Sequence, residues 1–178
     1  MRWALSLLAA AALVAGCGGG DDRLSGRDLP SSSARLRVSS PAFTQNSRLP
    51  KTYTCDGAGD EPVVRAGTVP PSARELVLVV SDPDAPGGTY VHVTRYGISP
   101  RGDGSVDHGG ATGKNSAGKD GWTPPCPPKG DDAHRYVWSV YALRDPTGLK
   151  AGAKPAAVAD ALKQGVLASG TLTARFGR

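Results

Sequence analysis

The chain is 178 residues long, a length that suits one domain, and 21 Lys and Arg against 16 Asp and Glu give a formal charge of +5. The basic residues are scattered, with no Lys/Arg run and no interleaved aromatics. That pattern argues against nucleic-acid binding and is compatible with a position beside anionic lipid.

Met1-Arg2-Trp3 is a short basic start, and Ala4 to Val14 is an apolar run broken only by Ser6. The run is too short to span a bilayer and suits the apolar segment of a secretory signal. It ends in Val14-Ala15-Gly16-Cys17, small residues before a cysteine, the pattern of a lipobox in which that cysteine is acylated after cleavage. Residues 1–16 are therefore read as a lipoprotein signal peptide and Cys17 as the lipidation site. The alternative is an ordinary signal with a chance cysteine. Two or three acyl chains hold a protein stably on a membrane, so the expected location is the cell envelope, exported and lipid-anchored. Residues 17–34 are Gly-, Ser- and Asp-rich and read as a flexible tether. The folded part is expected over 35–178. With Cys17 acylated, Cys55 and Cys126 remain in an oxidising compartment, either as a disulfide or as two buried thiols.

Leu36 and Val38 alternate with polar residues, a half-buried strand. Lys51 to Thr54 is a brief β-prone run before the Cys55-Asp56-Gly57 turn, and Gly59 to Ala73 reads as loop with one short strand at most. Leu76 to Val80 is five apolar, largely β-branched residues, a strand buried on both faces. Pro83, Pro86 and Gly87-Gly88 turn the chain there and hold two carboxylates, Asp82 and Asp84, on a stiff turn. Those acids either cap the turn or form a site. Tyr90 to Ile98 is the next strand, with Tyr90, His92, Thr94 and Tyr96 expected on one face.

Ser99 to Gly130 is a long stretch without periodicity, and compact domains rarely carry such a loop unless it serves function. It contains Gly113-Lys114-Asn115-Ser116-Ala117-Gly118-Lys119, close to a phosphate-binding loop. The match fails at Asp120, where a Ser or Thr hydroxyl is needed, and Pro124-Pro125 forbids a following helix. His108, in a Gly/Asp loop, reads as surface. Tyr136 to Leu143 is apolar on both faces and reads as a central strand. Pro155 to Ala168 has helical spacing, with Val158, Ala159, Leu162 and Val166 on one stripe. Thr171 to Phe176 closes the chain as an alternating strand. Mostly strands with one late helix suggests a mainly β fold, a sandwich with a helical appendage.

Four segments in order, Asp82-Pro83-Asp84-Ala85-Pro86, His92, Pro127-Pro128-Lys129-Gly130 and His134-Arg135-Tyr136, resemble the phosphatidylethanolamine-binding proteins. Cys55-Asp56-Gly57, Cys126-Pro127-Pro128 and Tyr141-Ala142-Leu143 look like the bacterial, Raf-kinase-inhibitor-like branch. The resemblance runs from Arg35 to Arg178. It implies an antiparallel Greek-key β-sandwich, with a C-terminal helix and short peripheral helices, and an anion pocket at one end. By position, the ligand-binding residues are Asp82, Pro86, His92, Pro128, His134 and Tyr136, and the ligand is a phosphate, an acetate or a phosphoethanolamine head group. No cofactor is implied. Three departures bear on the pocket: Val93 stands where the family has Trp, Pro124 where it has Gly, and Glu61 to Ala66 in place of Ser-Pro-x-Leu-x-Trp.

If Asp82, His92 and His134 converge, the carboxylate favours a histidine cation, since an opposite charge within about 4–6 Å raises a His pKa by roughly 1–3. Such a cation, with the Tyr136 hydroxyl, would hold a phosphate oxygen. The leading reading is thus a lipid-anchored module binding a small anion or phospholipid head group, with a protein partner unspecified. The rival is a small hydrolase or acid–base enzyme using Asp82 and His92, but no G-x-S-x-G occurs and prolines hem Cys126. A regulator of the protease-inhibitor type is a third reading, while kinase control inside the cell conflicts with export. Two histidines forty-two residues apart do not suggest a metal site.

Overall fold

The computed structural model describes Leu24 and residues 29–100 and 104–178. The signal peptide and Cys17 lie outside the described residues. The elements are β1 (Val38–Ser39), β2 (Ser47–Arg48), a 3-10 turn (Lys51–Tyr53), β3 (Arg65–Ala66), β4 (Glu75–Asp82), β5 (Tyr90–Ile98), β6 (Ala111–Thr112), β7 (His134–Leu143), α1 (Pro155–Leu162) and β8 (Val166–Phe176). Six strands form one sheet in the order β2-β8-β7-β4-β5-β6, and β1 pairs with β3 in a second.

β4 shows how the sequence drives this arrangement. Its apolar run leaves no polar face, so both faces must be covered. Leu76, Leu78 and Val80 face one cluster with Trp138, Tyr136, Phe43 and Val64. Val77 and Val79 face the other, which α1 covers with Val158, Ala159 and Leu162. β7, equally apolar, pairs with β4 along its length from Glu75↔Leu143 to Ser81↔Val137. Val93, one of the family departures, is fully buried in the first cluster.

The sheet is not all antiparallel. β2 runs parallel to β8, and Arg35 bridges Ser169 in the same sense. β8 has an outer edge whose N–H and C=O groups would otherwise lack partners. Leu36 N–H donates to Ser169 O, Asn46 N–H to Thr173 O and Leu49 N–H to Arg175 O, and Ala34 O accepts from Ser169 N–H. Two separate passes of chain close the edge, and both happen to run with it. Attachment also begins before Arg35. Ser32 donates its hydroxyl to Leu167 O, and Leu24 is buried against the α1 side.

Three further expectations are corrected. Lys51 to Thr54 is a 3-10 turn, because Pro50 O accepts from Tyr53 N–H and Lys51 O from both the Thr54 N–H and hydroxyl. The helix stops at Leu162, and Val166 starts β8 instead of continuing the helical stripe. Gly165, at φ +77°, makes the turn between them. Gly170 is a strand residue: a Cβ there would sit 2.0 Å from Leu36 O. Finally, β5 does not alternate cleanly. The pairing shifts between Val80↔Val93 and Ser81↔Val91, so His92 is the extra residue of a bulge. Tyr90 and His92 turn toward the Tyr136 side, whereas Tyr96 packs in the opposite cluster.

Candidate functional site

β4 ends at Asp82, β5 begins at Tyr90 and β7 begins at His134, so one end of the sheet gathers three strand ends. The segment from Thr123 to Pro128 folds across them. The result is a cavity of about 350 Å³ whose wall includes Asp82, Pro86, His92, Pro128 and His134. Those are five of the six residues named from the sequence. The sixth, Tyr136, is fully buried behind the wall, edge-on to the His92 ring at 5.4 Å.

Asp82 does two things at once. Its Oδ1 accepts from Asp84 N–H at 2.9 Å, the turn-capping role open to any Asp before a proline turn. Its Oδ2 accepts from His134 Nδ1 at 2.8 Å. Both partners of that second contact are buried, at 4% and 5% exposure. On its far side His134 Nε2 lies 3.8 Å from the half-exposed Asp131 carboxylate. A buried charge is kept only when paired and hydrogen-bonded, and here the Asx turn and the imidazole fill both oxygens.

His92 behaves differently. Its Nδ1 donates to Thr123 O at 2.7 Å, which leaves Nε2 as an acceptor, buried and without a hydrogen-bond partner among the described residues. Tyr90 and Trp122 flank the ring at 4.8 and 6.0 Å. Burial pushes its pKa down to about 4, against the weaker upward pulls of Thr123 O and the Asp82 charge. The expected Asp82-held cation is therefore not His92, which is neutral at pH 7. Desolvation also pushes the Tyr136 phenol up, aided by the Asp82 charge, so its proton stays on. Its hydroxyl makes no hydrogen bond of good geometry in the described residues.

Next to this group, Arg135 grips Asp84 with its backbone N–H, Nε and Nη2 at 2.8, 2.9 and 2.6 Å. These side-chain bonds hold the Asp84 carboxyl at about 2. Asp84 thus serves to clamp the turn to β7. The cavity wall also takes Tyr90, Thr123, Pro124 and Cys126, which the sequence reading did not assign. Tyr90 was within reach, because it stands opposite Asp82 in the β4–β5 pairing. Pro124, in place of Gly, packs its ring over Gly59, whose carbonyl accepts from Trp122 Nε1. Cys55 and Cys126 form a disulfide with Cα atoms 5.3 Å apart, tying this wall to the 55–57 turn.

The loop resembling a phosphate cradle has another job. Asn115 is fully buried; its Nδ2 donates to Gly121 O and Thr123 Oγ1, and its Oδ1 accepts from the N–H groups of Ala117 and Lys119. It knits its own loop and props the Thr123 wall. His108 has a side chain 70% exposed, beside Asp107. No group of three or more potential metal-ligating side chains occurs among the described residues.

Comparison with known proteins gives the family and agrees with the fold. Residues 39–177 match the model of a family described as phosphatidylethanolamine-binding protein. A Mycobacterium tuberculosis protein bearing the name lipoprotein LppC is 34% identical, with 95% of this chain and 92% of the relative covered. A Pyrococcus horikoshii protein is 33% identical over 92% of this chain and 82% of its own length. A solved Chlamydia trachomatis structure, described as a phosphatidylethanolamine-binding protein homologue, superposes with a TM-score of 0.75 at 31% identity, covering 82% of this chain and 99% of that one. Escherichia coli YbcL, at 24% identity and a TM-score of 0.72, shares the fold. With a matching family model over most of its length and relatives of this similarity, the chain belongs to the phosphatidylethanolamine-binding protein family.

Proposed function

We propose that this protein is a lipid-anchored binding protein whose cavity takes a small anion or a phospholipid head group of the phosphate or phosphoethanolamine kind. The observation that carries the reading is the buried Asp82–His134 pair on the wall of a cavity of head-group size. Asp82 takes the Nδ1–H of His134, and in its imidazolium form that ring donates Nε2–H to a phosphate oxygen as a charge-assisted bond. His92, neutral, offers the opposite polarity: its Nε2 lone pair suits a ligand N–H or O–H, such as an ammonium or a P–OH. The proline-rich wall adds apolar contact for the ethylene stem. Two polarities on two imidazoles favour a ligand that carries both an anion and a donor.

Binding is favoured over acid–base catalysis. The Cys126 sulfur in the wall is spent in a disulfide, and His92 Nδ1 is committed to a carbonyl. No activated nucleophile lines the cavity among the described residues. Anchoring through Cys17 in the cell envelope is supported by the Val14-Ala15-Gly16-Cys17 pattern and by the lipoprotein name of the Mycobacterium relative.

The test is calorimetric titration of the full chain with inorganic phosphate, phosphoethanolamine and phosphatidylethanolamine vesicles. Heat of binding that falls at least roughly tenfold in affinity in His134→Ala supports the reading. His108→Ala should leave it unchanged. Absence of binding to all three probes, or binding indifferent to His134, refutes it. For the anchor, labelled palmitate incorporated by the wild type should vanish in Cys17→Ser.

A further inference from the structure

We propose that the Cys55–Cys126 disulfide is a thiol-exchange site, opened by an external dithiol of the Cys-x-x-Cys kind, and that its opening frees the proline wall of the cavity. Both cysteines are exposed, unlike the members of a bridge sealed in a core. Arg178 lays its Nη1 against both sulfurs, 2.7 Å from Cys126 Sγ and 3.1 Å from Cys55 Sγ. Its placement is supported from two sides: Gly130 N–H donates to Arg178 O, and Asp56 lies 3.5 Å from Nε. A neutral disulfide sulfur gains little from a guanidinium. A thiolate gains a charge-assisted bond and a lowered pKa. The cation therefore favours the reduced state and the sulfur that departs toward it.

The chemistry follows from those distances. A reductant thiolate attacks Cys55 Sγ, a mixed disulfide forms, the Cys55–Cys126 bond breaks, and Cys126 leaves as a thiolate held by Arg178. The reductant's second thiol, deprotonated, attacks its own sulfur in the mixed disulfide and releases Cys55, so two electrons pass and the reductant ends as a disulfide. The two protons of the dithiol go to the protein sulfurs or to water. Cys126 lines the cavity. Once the bridge is broken, the Cys55 N–H to Pro125 O bond still joins the wall to the 55–57 turn, but without covalent support. None of this depends on what the cavity binds.

The full chain, as wild type, Arg178→Gln and Arg178→Lys, is reacted with dithiothreitol at pH 7 and quenched with iodoacetamide. The Gln variant should open more slowly by on the order of tenfold, and Lys should recover most of the rate, because leaving-group thiolate stability sets it. With 2-mercaptoethanol in place of the dithiol, mass spectrometry should find the adduct on Cys55 and the alkyl group on Cys126. Reduction should speed hydrogen exchange at the Cys55 and Thr123 amides. Equal rates in wild type and Gln variant, an adduct on Cys126, or unaltered exchange at those amides would each overturn the proposal. The adduct position and amide exchange are read in the wild type, so they decide the matter even where Arg178→Gln disturbs the fold.

Discussion

The buried, neutral His92 makes acid stability a measurable consequence of the site. An imidazole whose pKa is 6.5 when the chain is unfolded and about 4 when folded binds a proton in the unfolded state first. Folding is then favoured by the full difference above pH 6.5, the advantage shrinks as pH falls through that window, and below about 4 it is gone. A gap of that size corresponds to about 3 kcal/mol. His92→Asn keeps a donor for Thr123 O but cannot titrate, so its cost in packing is independent of pH. The two proteins should therefore show urea-derived stabilities that converge by about 3 kcal/mol between pH 7 and pH 4. The other ionisable groups are common to both and cancel in the difference. Asp84, held at about 2, changes its charge below that range. Parallel pH profiles, or an NMR titration of the His92 ring centred near 6.5, would refute the claim that burial outweighs the Asp82 charge.

Three more consequences concern the supports of the site. Asp84→Ala removes a bidentate clamp, but with side chains 31% and 47% exposed the pair is screened, so about 1 kcal/mol should be lost in a urea midpoint. In the wild type, the Asp84 contribution should fade as pH drops from 3.8 toward 2. Asn115→Ala strands two N–H groups and two acceptors, and should cost about 2 kcal/mol with faster amide exchange confined to the loop around Ala117 and Lys119. Gly170→Ala drives a methyl into Leu36 O, and should cost about 3 kcal/mol, seen as a drop of roughly 10 °C in Tm. A Tm within about 2 °C of wild type would contradict that close approach.

The parts of the fold that could be read from sequence were those where one physical demand dominates. β4 and β7 needed only their apolar runs, because no other structure covers two apolar faces of a short segment so well. The errors fall where several weak local preferences compete with tertiary contacts. Val166 continues a helical stripe as well as it starts a strand, and what decides is β8's pairing with Leu143, out of reach of any local window. The parallel edge arises from which segments happen to pass β8, and nothing in Ser47-Arg48 announces it. Lys51 to Tyr53 carries β-prone residues, yet Pro50 and the Thr54 hydroxyl commit it to a tight turn.

The site divides along a similar line, and its two histidines show why. Both were assigned to the same carboxylate on residue identity, and both do lie on one cavity. Membership could be read from the motifs; polarity could not. His134 opens β7 beyond the last β4–β7 pair, Ser81↔Val137, and its ring meets Asp82 as a hydrogen-bond partner. His92 sits in a bulge, which turns its ring among Tyr90, Trp122 and Tyr136, residues from three segments. There the aromatic wall removes water, the one polar contact goes to a backbone carbonyl, and desolvation exceeds the attraction of an acid it does not touch. A single extra residue in one strand thus separates an imidazole hydrogen-bonded to Asp82 from one that desolvation keeps neutral.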